Sequence, residues 1–255
     1  MANVTRIFDQ FLLATAVLTR LPVGWWSGDQ PPLEGAIAAA SWAFPAVGAG
    51  VGMIAAIALF LAAALQLGGI SAALFALVAA ALITGALHED GLADTLDGFG
   101  GGRTRDEKLA IMHDSRSGAY GVLGLIFSVG LRAAALITIN SPIGSGLALI
   151  AAHTASRAAL PVMMHWLAPA RADGLGATAG TPGPMAMLVA LAIGIFVAIG
   201  MLGPIRGPVA LIAAGVAVIA LAALARRQIG GYTGDVLGAF QQIGEIVMLL
   251  VAAAR

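Results

Sequence analysis

Long apolar runs dominate the chain and alternate with short polar segments. Several of these runs reach about 18 residues or more, the length that a helix needs to cross a lipid bilayer. We expect membrane spans at about residues 36–66, 70–87, 118–140, 143–167, 184–202, 208–225 and 236–254. The pattern predicts an all-α fold, a polytopic transmembrane helical bundle with about six to eight spans.

The first 35 residues have a different pattern. The stretch FDQFLLATAVLTRLPVGWW places apolar residues at helical spacing, includes Trp25 and Trp26, and precedes a polar loop with Pro31 and Pro32. An amphipathic helix lies in the plane of the membrane surface, and tryptophan rings favour headgroup depth. We therefore expect an N-terminal interfacial helix before the first span.

The composition supports a membrane protein and excludes several other classes. Hydrophobic residues make up 60% of the chain, charged residues only 10%, and the mean hydropathy is +0.95; a soluble domain needs more charge on its surface. The chain has no Lys/Arg-rich tract, so we expect no nucleic-acid partner. The absence of cysteine rules out disulfides and thiolate metal sites. We expect one integral membrane domain over residues 1–255 that contacts the lipid bilayer; the pattern leaves homo-oligomer formation open.

Three polar segments interrupt the apolar pattern, at residues 88–117, 168–183 and 226–235. Strict alternation of the spans places all three on the same side as the N-terminus. That side carries most of the 13 Lys and Arg residues, so the positive-inside rule predicts that it faces the cytoplasm. We expect residues 88–117 to form a cytoplasmic catalytic segment.

Three aspartates follow one another at helical spacing just after the second predicted span. Asp90, Asp94 and Asp97 fall within roughly 60° of one another on a helix, so their carboxylates project from one face. Carboxylates this close repel unless a cation holds them, and Mg²⁺ prefers a few carboxylates together with substrate phosphates. We predict a Mg²⁺ site here. Gly100 and Gly101 would let a bulky ligand approach the backbone.

Further charged residues lie in the same segment. Asp114 and Arg116 follow the acidic face, and Arg103 precedes them; the two arginines would bind phosphate oxygens. Acids, bases and glycines at a membrane surface indicate metal-assisted transfer at a phosphoryl centre. Residues 105–108 are expected to form an ordinary solvated loop.

Two arginines lie inside predicted spans, where a charge is costly and marks a functional candidate. Arg157 is placed to reach substrate phosphates, whereas Arg132 is expected to pair with another helix, with Glu245 as its obvious partner. His153 and His165 are more typical of buried or interfacial hydrogen-bonding residues than of metal ligands.

The polar motifs resemble those of a known family. The segments HEDGLADTLDGFGGG and IMHDSRSGAYGVLGL closely resemble the signature of the cobalamin synthase, or adenosylcobinamide-GDP ribazoletransferase, family. FLLATAVLTRLPV, WAFPAVGAGVG and GGYTGDVLGAFQQIGEI also resemble it, in the same order, from about residue 8 to 250. One departure is that Gln241 and Gln242 stand where an acidic residue would be unsurprising.

The resemblance implies a Mg²⁺-dependent enzyme of the bacterial cytoplasmic (inner) membrane that catalyses the last assembly step of cobalamin. In that reaction α-ribazole, or its 5′-phosphate, attacks the cobinamide-linked phosphate of adenosylcobinamide-GDP, and GMP leaves. The product is adenosylcobalamin or its 5′-phosphate.

On this basis each candidate residue receives an expected role. The metal ligands are Asp90, Asp94 and Asp97, the catalytic residues are Asp97, Asp114 and Arg116, and the substrate-binding residues are Gly100, Gly101, Arg103, Arg157 and Asp235. Asp114 is either a further ligand or the general base.

Two other classes of protein would also place acids on membrane helices. Phosphotransferases that make phospholipid headgroups do so, but their D-G-x-x-A-R arrangement is absent here, since Leu-Ala-Asp follows Gly91. A cation-coupled transporter would place its acids near mid-span, often with internal repeats; in this chain the acids lie at span ends and no clear repeat is visible.

Overall fold

The computed structural model describes residues 2–23, 35–114 and 116–254, which fold almost entirely into helices and contain no strand. The predicted all-α fold is therefore confirmed. Trp25, Trp26 and the loop that follows them lie outside the described residues. The helices are α1 (Ala2–Leu18), α2 (Ala36–Ala40), α3 (Phe44–Ala64), α4 (Gly69–Thr84), α5 (Leu87–Gly101), α6 (Arg105–His113), α7 (Ala119–Ile139), α8 (Pro142–Ala158), α9 (Leu160–Trp166), α10 (Leu175–Thr178), α11 (Pro184–Leu202), α12 (Arg206–Ile229) and α13 (Gly234–Ala253).

Six helical segments among the described residues are long and apolar enough to cross a membrane, in agreement with the polytopic bundle that the sequence predicts. Two of them combine shorter helices: α2 and α3, joined by a 3₁₀ turn at Ser41–Ala43, form the first, and α8 and α9 form the third. The six segments are Ala36–Ala64, Ala119–Ile139, Pro142–Trp166, Pro184–Leu202, Arg206–Ile229 and Gly234–Ala253.

The span predicted at residues 70–87 ends earlier than expected. Helix α4 stops at Thr84, and its 16 residues extend only about 24 Å at the helical rise, short of a hydrocarbon core about 30 Å thick. Gly85 and Ala86 have φ values of 64° and 56°, and a right-handed helix does not continue through two left-handed residues. Helix α5 therefore starts at an angle of 91° to α4, and the two make a seventh crossing only as a bent pair.

Helices α8 and α13 lie at the centre of the bundle. In an apolar 18-residue stretch of each span, 72% of the residues of α8–α9 and 67% of those of α13 are buried, compared with only 17% for α11 on the periphery. Glycines allow the closest approach: a Cβ added at Gly48 of α3 would lie 2.3 Å from the carbonyl oxygen of His153 on α8. Small residues let membrane helices pack backbone to backbone in this way, and here they hold α3 against the central helix.

The three polar segments meet at one end of the bundle, as the sequence predicts. Arg105 at the start of α6 donates hydrogen bonds to the carbonyl oxygens of Ala170 and Ile229, the latter at 2.9 Å. The Tyr232 amide donates to Ala168 at 3.0 Å, and the Ala170 amide donates to Tyr232 at 2.7 Å. These bonds connect residues 88–117, 168–183 and 226–235 into one polar end.

The expectation of a solvated loop at residues 105–108 is wrong, because these residues are helical. These residues begin α6, because Thr104 and Glu107 form a reciprocal capping box. Glu107 accepts hydrogen bonds from the amides of Arg103 and Thr104, and Lys108 is buried. The Thr-x-x-Glu spacing in the sequence was a signal for this helix start.

Candidate active site

The predicted acidic face lies on a helix, as its spacing indicates. Helix α5 carries Asp90, Asp94 and Asp97 and packs between α7 and α13. Burial increases along the helix, because Asp90 is exposed, Asp94 is half-buried and Asp97 is only 7% exposed. The three carboxylates therefore have different surroundings although they share one helix.

A close helix crossing brings a fourth carboxylate, that of Asp235, to this face. A Cβ added at Gly91 of α5 would lie 2.6 Å from the carbonyl oxygen of Asp235, and one added at Gly238 would lie 3.3 Å from the Cα atom of Gly91. Asp94 is consequently within electrostatic range of Asp90, Asp97 and Asp235. The first turn of α13 thus joins the acidic face of α5, although Asp94 and Asp235 lie 141 positions apart in the chain (235 − 94).

Asp235 has two polar neighbours of its own. The Thr233 hydroxyl donates to Oδ2 of Asp235 at 3.0 Å, and Nη2 of Arg171 lies 3.7 Å from the same oxygen. Arg171 is therefore a candidate site residue that the sequence motifs do not single out. The sequence signal for Arg171 was its position in residues 168–183, a polar segment predicted to lie on the same side of the membrane as the acidic face.

Asp97 holds the start of α7. Its Oδ2 accepts a hydrogen bond from the Gly118 amide at 2.6 Å, and its Oδ1 accepts one from the Gly121 amide at 2.9 Å. Gly118, the N-cap residue of α7, has no side chain to fulfil this function, so Asp97 caps the helix from α5. A carboxylate keeps further lone pairs after accepting two bonds, and the metal-binding and catalytic roles of Asp97 stay predictions.

Asp114 and Arg116 form an exposed pair beyond the end of α6. Nε and Nη2 of Arg116 donate to the Asp114 carboxylate at distances between 2.7 and 3.2 Å. These hydrogen bonds lower the pKa of Asp114 to about 2. Arg103 is also exposed. These cations are accessible at the polar end of the bundle, and their roles toward phosphate stay predictions.

The space beside Gly100 and Gly101, which the sequence predicts to admit a ligand, is filled by protein side chains. A Cβ added at Gly100 would lie 2.6 Å from the ring of Tyr120, and one added at Gly101 would lie 3.3 Å from Cδ1 of Ile111. These glycines therefore let α6 and α7 pack closely against the end of α5. Substrate binding by Gly100 and Gly101 stays a prediction.

A buried charge network lies behind the acidic face. Nη1 of Arg132 is 2.9 Å from Oε1 of Glu245 and 3.3 Å from Oε1 of Glu89, and Nδ1 of His153 is 3.0 Å from Oε2 of Glu245. The predicted pairing of Arg132 with Glu245 is confirmed, and His153 is a buried hydrogen-bonding residue, as expected. Arg157 is also buried, with Nη1 3.1 Å from Nδ1 of His153; its predicted phosphate contact stays a prediction.

The two glutamines that depart from expectation belong to this network. Nε2 of Gln241 donates to Oε2 of Glu245 at 2.6 Å, and Nε2 of Gln242 donates to Oε1 of Glu89 at 3.1 Å. Buried carboxylates need hydrogen-bond donors, whereas another acid in this position would repel them. The amide side chains therefore suit Gln241 and Gln242 to these positions.

A cavity of about 220 Å³ opens beside Asp90 and Asp235. Its wall is mostly apolar and is built from α1, α2, α3, α9 and α13, and His88, Asp90, Arg171 and Asp235 supply its polar groups. The acidic face thus borders a space that is large enough for part of a ligand.

The donor chemistry of this region suits a hard divalent cation. Asp90, Asp94 and Asp235 offer carboxylate oxygens, which Mg²⁺ prefers, and Mg²⁺ commonly completes its coordination with water and substrate phosphates. Among the residues that the structure describes, no three His, Asp or Glu side chains form a ready metal cluster. A cation bound jointly by a few carboxylates and a substrate diphosphate fits this arrangement.

Comparisons with known proteins connect the site to a family. A family model described as cobalamin-5-phosphate synthase matches residues 10–253. The chain is 51% identical to the adenosylcobinamide-GDP ribazoletransferase of Bradyrhizobium diazoefficiens over 99% of this chain and 96% of that protein. It is 43% identical to the enzyme of the same name from Mesorhizobium japonicum, over 97% of this chain and 94% of that protein. No solved structure gives a significant match.

Proposed function

Because this chain belongs to the cobalamin-5-phosphate synthase family and is a transferase of cobalamin assembly, we propose that it joins adenosylcobinamide-GDP to α-ribazole or its 5′-phosphate. A ribazole hydroxyl oxygen forms a bond to the cobinamide-linked phosphorus, and the bond from that phosphorus to the bridging oxygen of the diphosphate breaks. The hydroxyl proton passes to a base, GMP leaves, and adenosylcobalamin or its 5′-phosphate is formed.

The observation that carries this proposal is that the close crossing of α5 and α13 brings Asp235 to the acidic face, within electrostatic range of Asp94. These carboxylates, with Asp97 as a further predicted ligand, would hold Mg²⁺ and accept the hydroxyl proton. When bound, the metal would neutralise the diphosphate and stabilise the charge that develops on leaving GMP. A displacement at phosphorus by an alcohol needs no covalent protein nucleophile, and the proposal assigns none.

Cations at the polar end would contribute to binding the diphosphate. Arg171 is held 3.7 Å from Asp235, and Arg103 and Arg116 are accessible on the segment that follows α5. Arginine donates two parallel hydrogen bonds to phosphate oxygens. We place this end of the bundle on the cytoplasmic side of the bacterial inner membrane, where nucleotide substrates are dissolved.

The proposal is tested by GMP release from the purified protein in nanodiscs with adenosylcobinamide-GDP, α-ribazole and Mg²⁺. Turnover should require both substrates and stop when EDTA removes the metal. Asp94→Asn should reduce turnover by about 100-fold or more and raise the Mg²⁺ concentration needed. Asp106→Asn, an exposed change on α6, is the matched control and should retain wild-type turnover.

Two results would contradict the proposal. Unchanged turnover and Mg²⁺ dependence in Asp94→Asn would remove the acidic face from the reaction. Uptake of a cation or corrinoid into sealed vesicles without any GMP release would favour a transporter instead.

A further inference from the structure

We infer that the 220 Å³ cavity beside Asp90 and Asp235 binds the aromatic base of the ribazole substrate, with His88 as its polar contact. This inference rests on the proposed function, because it assigns a place to one of the two substrates of that reaction. It adds residues of α1, α3 and α9 to the site, none of which the acidic motif indicates.

The wall of the cavity suits an apolar, flat ligand. The cavity is lined from three separate helices by four apolar residues, each at most 4% exposed in the described structure: Leu18, Phe44, Leu160 and Met164. Ligand pockets are typically apolar, with a few polar groups that fix orientation. Here Asp90 and Asp235 supply polar groups on the side of the cavity that adjoins the acidic face.

His88 gives the cavity a hydrogen-bonding group. It lines the cavity at the start of α5 and is 3% exposed. A polar side chain in a mostly apolar wall can fix the orientation of a ligand by a hydrogen bond. The dimethylbenzimidazole base of ribazole has one free ring nitrogen, which accepts a hydrogen bond from a ring N–H of His88.

Size and polarity separate this base from the other ligand groups of the reaction. Guanine has several donors and acceptors that an apolar wall would leave unpaired, which is unfavourable. The corrin ring is far larger than the cavity. A bicyclic base with two methyl groups fits both the volume and the wall, and it places its ribose toward Asp90 and Asp235, where the phosphorus must lie.

The test uses the full chain in nanodiscs of phosphatidylethanolamine and phosphatidylglycerol and measures KM for each substrate separately. Leu160→Trp, which fills the cavity, should raise KM for α-ribazole by about 10-fold or more and leave KM for adenosylcobinamide-GDP unchanged. Leu211→Trp is the matched control, because Leu211 lines a separate apolar cavity between α8, α11 and α12. This control should change neither KM.

The role of His88 is tested with a ligand analogue. Wild-type protein should bind α-ribazole about 10-fold more tightly than the dimethylindole riboside, which lacks the free ring nitrogen. His88→Phe should abolish that preference. Binding of imidazole, benzimidazole and dimethylbenzimidazole ribosides can also be measured on the wild-type protein, so this test does not depend on whether a variant folds. Binding should become tighter as the base becomes larger.

Direct binding of α-ribazole, measured by calorimetry, distinguishes failure of this inference from failure of the proposed function. Absence of GMP release together with α-ribazole binding that Leu160→Trp weakens would refute the reaction but support the cavity. Normal GMP release with an unchanged KM for α-ribazole in Leu160→Trp would overturn the cavity assignment. If Leu160→Trp displaces a phospholipid that co-purifies with the wild-type protein but has no kinetic effect, the cavity is a lipid site and the assignment to α-ribazole is wrong.

Discussion

Nη1 of Arg132 on α7 lies 2.9 Å from Oε1 of Glu245 on α13, and both side chains are almost completely buried. Arg132 also contacts Glu89 on α5, so one guanidinium connects the helix that carries the acidic face to both helices against which it packs. The geometry of the acidic face therefore depends on charges inside the bundle as well as on apolar packing.

Glu245→Gln should destabilise the protein strongly, because it leaves Arg132 buried without its main counter-charge. Breaking one partner of a buried pair typically costs about 3–5 kcal/mol. The measurement is the thermal unfolding midpoint in detergent, with Asp106→Asn as a control, since Asp106 forms an exposed pair with Arg105 and surface pairs contribute little. Equal midpoints for Glu245→Gln and the wild type would show that the network does not support the fold.

Asp97→Asn should lower stability as well as activity. The amide that replaces one carboxylate oxygen turns its N–H groups toward the amide of Gly118 or Gly121, so α7 loses part of its cap. Loss of a helix cap costs about 1–2 kcal/mol. Unfolding midpoints of Asp97→Asn and Asp94→Asn should differ, because Asp94 has no such capping role. Equal unfolding midpoints for Asp97→Asn and Asp94→Asn would contradict the capping role of Asp97.

Much of the fold could be predicted, because apolar length and helical spacing are local properties of the sequence. Pairing of Arg132 with Glu245 was also predictable, since two opposite charges inside spans have few other partners. In contrast, Asp235 joins Asp94 only because glycines on α5 and α13 let two backbones touch. Neither that crossing nor the α4–α5 bend at Ala86 follows from hydropathy.

The low pKa of Asp114 indicates that this residue does not act as the general base near neutral pH. Hydrogen bonds from Arg116 lower this pKa from 3.8 to about 2. A group with a depressed pKa stabilises the folded state above its ordinary pKa, and that contribution disappears as the pH falls from about 4 toward about 2. Asp114 is thus fully ionised, and a weak base, near neutral pH.

We therefore expect Asp114→Asn to leave the acid limb of the kcat/KM profile between about pH 5 and 8 unchanged, even if the rate falls. Arg116→Gln removes the guanidinium hydrogen bonds and leaves the one from the backbone amide, so it should raise the pKa of Asp114 toward 3.8, still below that range. Displacement of the acid limb in Asp114→Asn would identify Asp114 as the general base, one of the two roles that the family resemblance implies for it.

Gly91→Ala should abolish most activity with little effect on the apolar core. The added Cβ would lie 2.6 Å from the carbonyl oxygen and 3.0 Å from the Cα atom of Asp235, and backbone atoms cannot rotate away as a flexible side chain does. Helices α5 and α13 must separate, which moves Asp90 and Asp94 away from Asp235. Misplacement by about 1 Å can cost roughly 100-fold in rate.

The measurement is turnover in GMP release together with the unfolding midpoint. Gly130→Ala on α7 is the matched control, because a Cβ there meets no atom within 4 Å. It should retain activity and gain up to about 1 kcal/mol of stability from helix propensity. Wild-type turnover in Gly91→Ala would mean that the reaction does not need Asp235 beside Asp94, and the acidic face of α5 would then have to act without α13.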